Sequence, residues 1–166
     1  NEMMTMATAW GHRHHIIIKK SFADGIEFFK GESLKETNLD ELTLSYSNSF
    51  AYVYEAATVG FDQLQDLAVM ANDAGEAMHW ANHAFVKRHR SEESTIPGFN
   101  MIVIDVDGGV SLATVHELMK EYKFVTYTTK RHGEDGQDRF RLLIPINYNL
   151  ELTAQEYKEF MNSFME

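Results

Sequence analysis

The chain has no cysteine, so disulfides and thiolate metal sites are excluded, which suits a reducing cytosol. Prolines number only two, and no apolar run approaches the roughly 18–20 residues needed to span a membrane. The opening NEMMTMATAW lacks the basic start and continuous apolar core of a signal peptide. With no initiator methionine, the sequence reads as a processed or excised piece. Positive charge is also scarce: Lys and Arg total 15 against 25 Asp and Glu, a net charge of −10. That balance argues against a nucleic-acid coat or a non-specific DNA binder. It leaves room for an enzyme that touches DNA locally, since metal-binding carboxylates add to the negative count. The few cations are clustered, in Lys87-Arg88-His89-Arg90, in Lys130-Arg131-His132, and at Arg139 and Arg141.

What is present describes a folded domain. The chain has 166 residues, 44% of them hydrophobic and 12% aromatic, enough for one domain with a real core. There are no internal repeats and no low-complexity segments. HHIIIKKSF (14–22) reads as a strand with polar ends, GESLKETNLDE (31–41) as a polar connection, and 41–56 as one or two strands. Phe61, Leu64, Leu67, Ala68 and Ala71 follow helical spacing, and a second helical piece is expected from Gly75 to about Phe85. SEESTIPGFN (91–100) reads as a loop.

From residue 101 the pattern sharpens. Strand 101–107 leads through Gly108-Gly109 to Ser111, the expected N-cap of a helix over 112–122. A strand over 123–129, a polar glycine-punctuated connection over 130–138 and a strand over 139–146 follow. Thr153 caps a closing helix with Tyr157, Phe160, Met161 and Phe164 on one face. The order β-α-β-β-α predicts an α+β fold with helices on one side of a sheet, in which 1–98 is an N-terminal α/β extension and 99–166 the motif-bearing core of a single domain.

Two motifs carry chemistry. In MIVIDVDGG the period of a strand puts Asp105 and Asp107 on one face, with Cα atoms about 6.5–7 Å apart. Carboxylates so placed repel unless a cation offsets them, and Mg²⁺ or Mn²⁺ suits all-oxygen ligands; two such ions form the usual site for phosphoryl and nucleotidyl transfer. The plainer alternative is a solvated strand end followed by turn glycines. In RFRLLIPI the same alternation puts Arg139 and Arg141 on one face, where guanidinium forks match phosphate. A hairpin would bring Lys130, Arg131 and His132 beside them. Carboxylates facing cations is the layout for a metal–nucleoside triphosphate.

IDVDGG, YTTKRH and DRFRLLIP, in that order, resemble the catalytic core of the archaeo-eukaryotic primase superfamily, especially its phage and plasmid primase-polymerases. FVKRHRSEESTIPGFN resembles the basic approach to the first motif in phage members. The resemblance covers 87–146 and implies an RRM-like catalytic core. It implies that Asp105 and Asp107 hold two catalytic Mg²⁺ or Mn²⁺ ions and that His132 meets the incoming nucleotide's phosphates. Arg139 and Arg141 become contacts to phosphate or template, and Lys130 and Arg131 join them at the triphosphate. The implied activity is primer synthesis in phage or plasmid replication. The implied partners are nucleoside triphosphates, a single-stranded DNA template, and a helicase domain or replication proteins, in the host bacterial cytoplasm. The sequence departs from the pattern twice. Lys130 stands where a small hydroxyl residue is usual, and no carboxylate matches the third motif, Asp138 and Glu151 being poorly placed. Either the missing ligand lies beyond Glu166 or activity has been lost.

Three alternatives stand beside this. DVDGG also resembles the signature of haloacid-dehalogenase-type phosphatases, with Asp105 as nucleophile and Asp107 as general acid/base. The chain as an inactive nucleic-acid- or partner-binding fragment is another, though its aromatics fall mostly on apolar faces. Finally, His12, His14 and His15, or Glu76, His79 and His83 at helical spacing, have metal-ligand residue types, with a solvated loop and a plain helix surface as the commoner explanations.

Overall fold

A computed structural model describes residues 35–48, 50–73 and 78–165. The expected strand over 14–22, the histidines at 12, 14 and 15, and Glu76 lie outside the described residues. The nine strands among the described residues are β1 (Lys35–Glu36), β2 (Leu42–Ser47), β3 (Glu55–Val59), β4 (His79–Ala81), β5 (Ala84–Phe85), β6 (Thr95–Ile96), β7 (Phe99–Asp107), β8 (Val125–Thr128) and β9 (Arg139–Leu150). The helices are α1 (Leu64–Asp73), α2 (Leu112–Leu118) and α3 (Ala154–Met165), so the fold is mixed α+β.

β9 is the centre of the main sheet. β7 pairs antiparallel along one side of it, from Met101↔Pro145 to Asp107↔Arg139. On the other side β8 pairs from Val125↔Leu143 to Thr128↔Phe140, and β1 pairs at Asn149 and Tyr148. Pro145 lies opposite Met101 of β7 and falls between the stretches of β9 that β8 and β1 occupy. β9 therefore runs on to Leu150, past the expected end at 146.

Both faces of this sheet are covered, which explains the near-continuous apolar runs MIVI and LLIPI. On one face Ile102, Phe140, Leu142, Ile144 and Ile146 pack with Leu112 and Val115 of α2 and Phe160 of α3. On the other, Met101, Val125 and Leu143 pack against Leu42, Leu44 and Trp80 of a second sheet, ordered β3-β2-β4, and against Phe61, in the turn before α1, and Leu64 at the start of α1. The expectation of helices on one side holds for α2 and α3; the N-terminal half supplies the second layer.

The expected helix from Gly75 to Phe85 is not formed over its described part. Residues 79–81 pair with β2, Trp80 opposite Tyr46 and His79 opposite Ser47, and 84–85 pair with β6. Burying the Trp80 ring between the two sheets outweighs a weak helical period. The segment 91–100 likewise contains β6 and the start of β7. The helix after Ser111 ends at Leu118, short of residue 122. Both expected caps form: Ser111 Oγ accepts from Thr114 N at 3.0 Å, and Thr153 Oγ1 accepts from Glu156 N at 3.3 Å while the Glu156 carboxylate accepts from Thr153 N at 2.8 Å. No helix among the described residues is long and apolar enough to cross a membrane.

Candidate active site

The strand period that buries Met101 carries Asp105 and Asp107 onto the same face, beyond the zone the second sheet covers. The register then sets each opposite an arginine: Asp105 pairs with Arg141 and Asp107 with Arg139. The four side chains predicted from the two motifs are thus brought together. Both carboxylates stay largely exposed, at 64% and 70%, whereas the Arg139 side chain is buried and that of Arg141 is mostly covered.

The two arginines differ in what else holds them. Arg141 Nε lies 3.5 Å from Asp105 Oδ1, and Nη1 donates to Tyr127 Oη at 3.0 Å and to the Met78 carbonyl at 3.4 Å. Burial works against its charge, but Tyr127 and Asp105 outweigh that and hold its pKa above the ordinary value. Burial pushes the Tyr127 phenol up to about 12, with Arg141 opposing the rise. Arg139 is committed to structure. Its Nη1 donates to the Arg131 carbonyl at 3.0 Å and the Glu134 carbonyl at 2.8 Å, so it braces the 130–138 connection. Its Nε sits 2.7 Å from Asp107 Oδ1 as an ion pair that lacks the alignment of a hydrogen bond.

That connection turns through Gly133, Asp135 and Gly136, all with left-handed backbone. Lys130 and Arg131 are exposed, and Arg131 Nε pairs with Glu134 at 2.9 Å. His132 Nδ1 accepts from the Arg139 N–H at 3.2 Å, and its Nε2 lies 3.9 Å from Asp138 Oδ1. Asp138 in turn accepts from Leu112 N at 2.7 Å, at the start of α2. His132 is therefore anchored at the end of the sheet, and among the described residues no contact joins it to Asp105 or Asp107. Gly108 answers the need for a turn: at φ +101° it approaches Gln137, whose Oε1 would lie 3.0 Å from any Cβ there.

Beside Asp105 and Arg141 opens a cavity of about 750 Å³, bordered by His83, Arg90, Tyr157 and Lys158. Arg90 belongs to a basic cluster visible in the sequence. Lys158 carries no signal there, and Tyr157 is expected on the core face of the closing helix, where its ring does meet Phe99 at 4.9 Å. His83 is no surface ligand of a helix. It is 4% exposed, its Nδ1 bonds Asn82 Oδ1 at 2.9 Å, and its Nε2 is buried without a partner among the described residues. Burial lowers its pKa to about 4. His79 lies on β4, so His79 and His83 do not share a helical face, and the expected Glu76-His79-His83 grouping has no helix to carry it.

Among the described residues no three His, Asp or Glu side chains are grouped to hold a metal. Asp105 and Asp107 nevertheless fit a hard cation as a partial shell, because Mg²⁺ is commonly held by one or two carboxylates, with water and substrate phosphate oxygens completing it. All described strand pairs are antiparallel, so these residues do not form the parallel sheet that the phosphatase alternative requires. Comparison with protein-family models, curated proteins and solved structures gives no match.

Proposed function

We propose that this chain carries the catalytic core of a primase-polymerase-type nucleotidyltransferase, with β7–α2–β8–β9–α3 as an RRM-like unit. The observation that carries the reading is the facing of Asp105 and Asp107 with Arg141 and Arg139 across β7 and β9, with Asp105 and Arg141 bordering a cavity of about 750 Å³. Asp105 and Asp107 would hold Mg²⁺ or Mn²⁺, which when bound supplies positive charge to the reacting phosphate. Arg141 is fixed by Tyr127 and Met78, so it can orient a phosphate without first being ordered. Arg90 and Lys158 add positive charge along the cavity, and exposed Lys130 and Arg131 add it at the sheet's end. The proposed partners are nucleoside triphosphates and a single-stranded DNA template.

One observation favours a second reading, an inactive binding fragment: Arg139 and Asp107 are already matched to each other and to the 130–138 backbone, as in a purely structural ion pair. Primer synthesis on single-stranded DNA in Mn²⁺ separates the two. The active reading expects synthesis by the wild type and its loss in Asp105→Ala/Asp107→Ala, with unchanged circular dichroism. Synthesis undiminished in that variant overturns the reading, and neither synthesis nor Mn²⁺ binding by the wild type establishes the inactive fragment.

A further inference from the structure

The aromatics do not all lie on apolar faces. Phe50 and Tyr52, in the connection from β2 to β3, are 71% and 75% exposed. Their rings are parallel to within 6°, with centroids 6.3 Å apart, and they border a cavity of 360 Å³. Large exposed rings of this kind mark an interaction surface rather than a core.

What lies beside them selects the occupant. The Tyr54 N–H donates to the Arg88 carbonyl at 2.8 Å, which docks the basic segment 87–90 against this connection. Lys87 and Arg88 both adopt left-handed backbone, so the segment is turned outward at a cost that a merely solvated loop does not need. Arg88 pairs with Glu55, an acid that borders the same cavity as the rings, while Lys87 has no partner among the described residues. Arg90 Nη1 then bonds Tyr54 Oη at 3.2 Å and borders the cavity beside Asp105. Rings, cations and the candidate active site are thus linked through Tyr54. In a chain of net charge −10, aromatic faces next to the densest run of positive charge suit a polyanion with flat, stackable groups.

We propose that Phe50 and Tyr52, backed by Lys87 and Arg88, form a platform on which the bases of a single-stranded nucleic acid stack while its phosphates meet the basic segment. Bases stack on the rings without sequence preference, and the strand continues past Arg90 toward Asp105. The inference rests on the nucleotidyl-transfer reading for the strand's role as template, but its binding is measurable without catalysis.

The test is fluorescence anisotropy of the full chain with a labelled oligothymidylate of about twenty nucleotides, in chelator, across a salt series. Phe50→Ala/Tyr52→Ala is expected to weaken binding about tenfold or more, with the salt slope unchanged. Lys87→Ala/Arg88→Ala is expected to reduce the slope of log K against log salt by about 0.7 for each phosphate no longer neutralised. Asp105→Ala/Asp107→Ala, which removes two negative charges near the strand's path, should lose synthesis yet bind at least as tightly as the wild type, so failure of synthesis and failure of the platform are read separately. Absence of wild-type binding, or equal binding by Phe50→Ala/Tyr52→Ala, overturns the proposal. So does sedimentation showing a wild-type dimer that this variant dissociates while oligonucleotide binding stays the same, which would make the patch an interface between copies.

Discussion

Asp105 and Arg141 are Cα partners in the β7–β9 ladder, and the arginine is the buried member: 17% of its side chain is exposed against 64% for the aspartate. The positive charge is thus built into the frame and the carboxylate is the solvent-facing half. A cation arriving at Asp105 has to share it with Arg141, at an Nε–Oδ1 distance of 3.5 Å.

This competition has opposite effects on metal and on chemistry. Removing a unit charge about 4 Å from a divalent ion is worth about 2 kcal/mol at the dielectric constant of water, or roughly thirtyfold in affinity. Arg141→Gln is therefore expected to tighten Mn²⁺ binding by about tenfold or more, read by electron paramagnetic resonance. The same variant should lose primer synthesis, because the phosphate loses its prepositioned partner. Weaker Mn²⁺ binding in Arg141→Gln would show that the arginine supports the site through structure alone.

Arg139 should behave differently. Only 9% of its side chain is exposed, and it donates to two carbonyls of the 130–138 connection. A hydrogen bond to a charged group contributes roughly 1.5–3 kcal/mol net of the exchange with water. Arg139→Ala is expected to cost about 2–3 kcal/mol and to lower Tm by roughly 5–10 °C. Arg139→Lys should recover less than half, since one ammonium cannot span both carbonyls and Asp107. A melting point of Arg139→Ala within about 2 °C of the wild type would refute the bracing role.

The motif-bearing half was legible because its signals are local and mutually consistent. The period of two in MIVIDVD and RFRLLIPI, the turn glycines and the caps at Ser111 and Thr153 all point to the elements that form. Strand alternation also placed Asp105, Asp107, Arg139 and Arg141 on one face, and only the pairing register, which is a tertiary fact, was needed to join them. His132 shows where local reasoning stops. Its position in the sequence puts it near the arginines, but the hairpin turns its ring toward Asp138 and the start of α2. The segment 78–85 misled for a related reason. Its apolar residues pack between layers whose other members lie far away in sequence, so a helical period there carried little weight against the pairing of Trp80 with Tyr46. Lys158 and the exposure of Phe50 and Tyr52 had no sequence signature, because each depends on which surfaces the remaining chain leaves uncovered.

The burial of His83 gives stability a definite acid limb. Its folded pKa, about 4, lies below the ordinary value of 6.5, because the buried ring resists protonation. An unfolded chain takes up that proton and the folded one does not. The contribution is thus full above pH 6.5 and falls as pH drops from 6.5 toward 4. At about pH 5 the loss from His83 is about 2 kcal/mol relative to about pH 7. His116, also lowered by burial where it bonds Thr126 Oγ1 at 2.9 Å, adds a loss of the same sign. His83→Gln keeps a donor for Asn82 and has no titration of its own. Urea unfolding at about pH 7 and about pH 5 should therefore show a drop smaller by about 2 kcal/mol in the variant than in the wild type, with the remainder left to His116 and the carboxylates. Equal drops in the two proteins would mean that the ring is protonated in the folded state and that water reaches the back of the cavity.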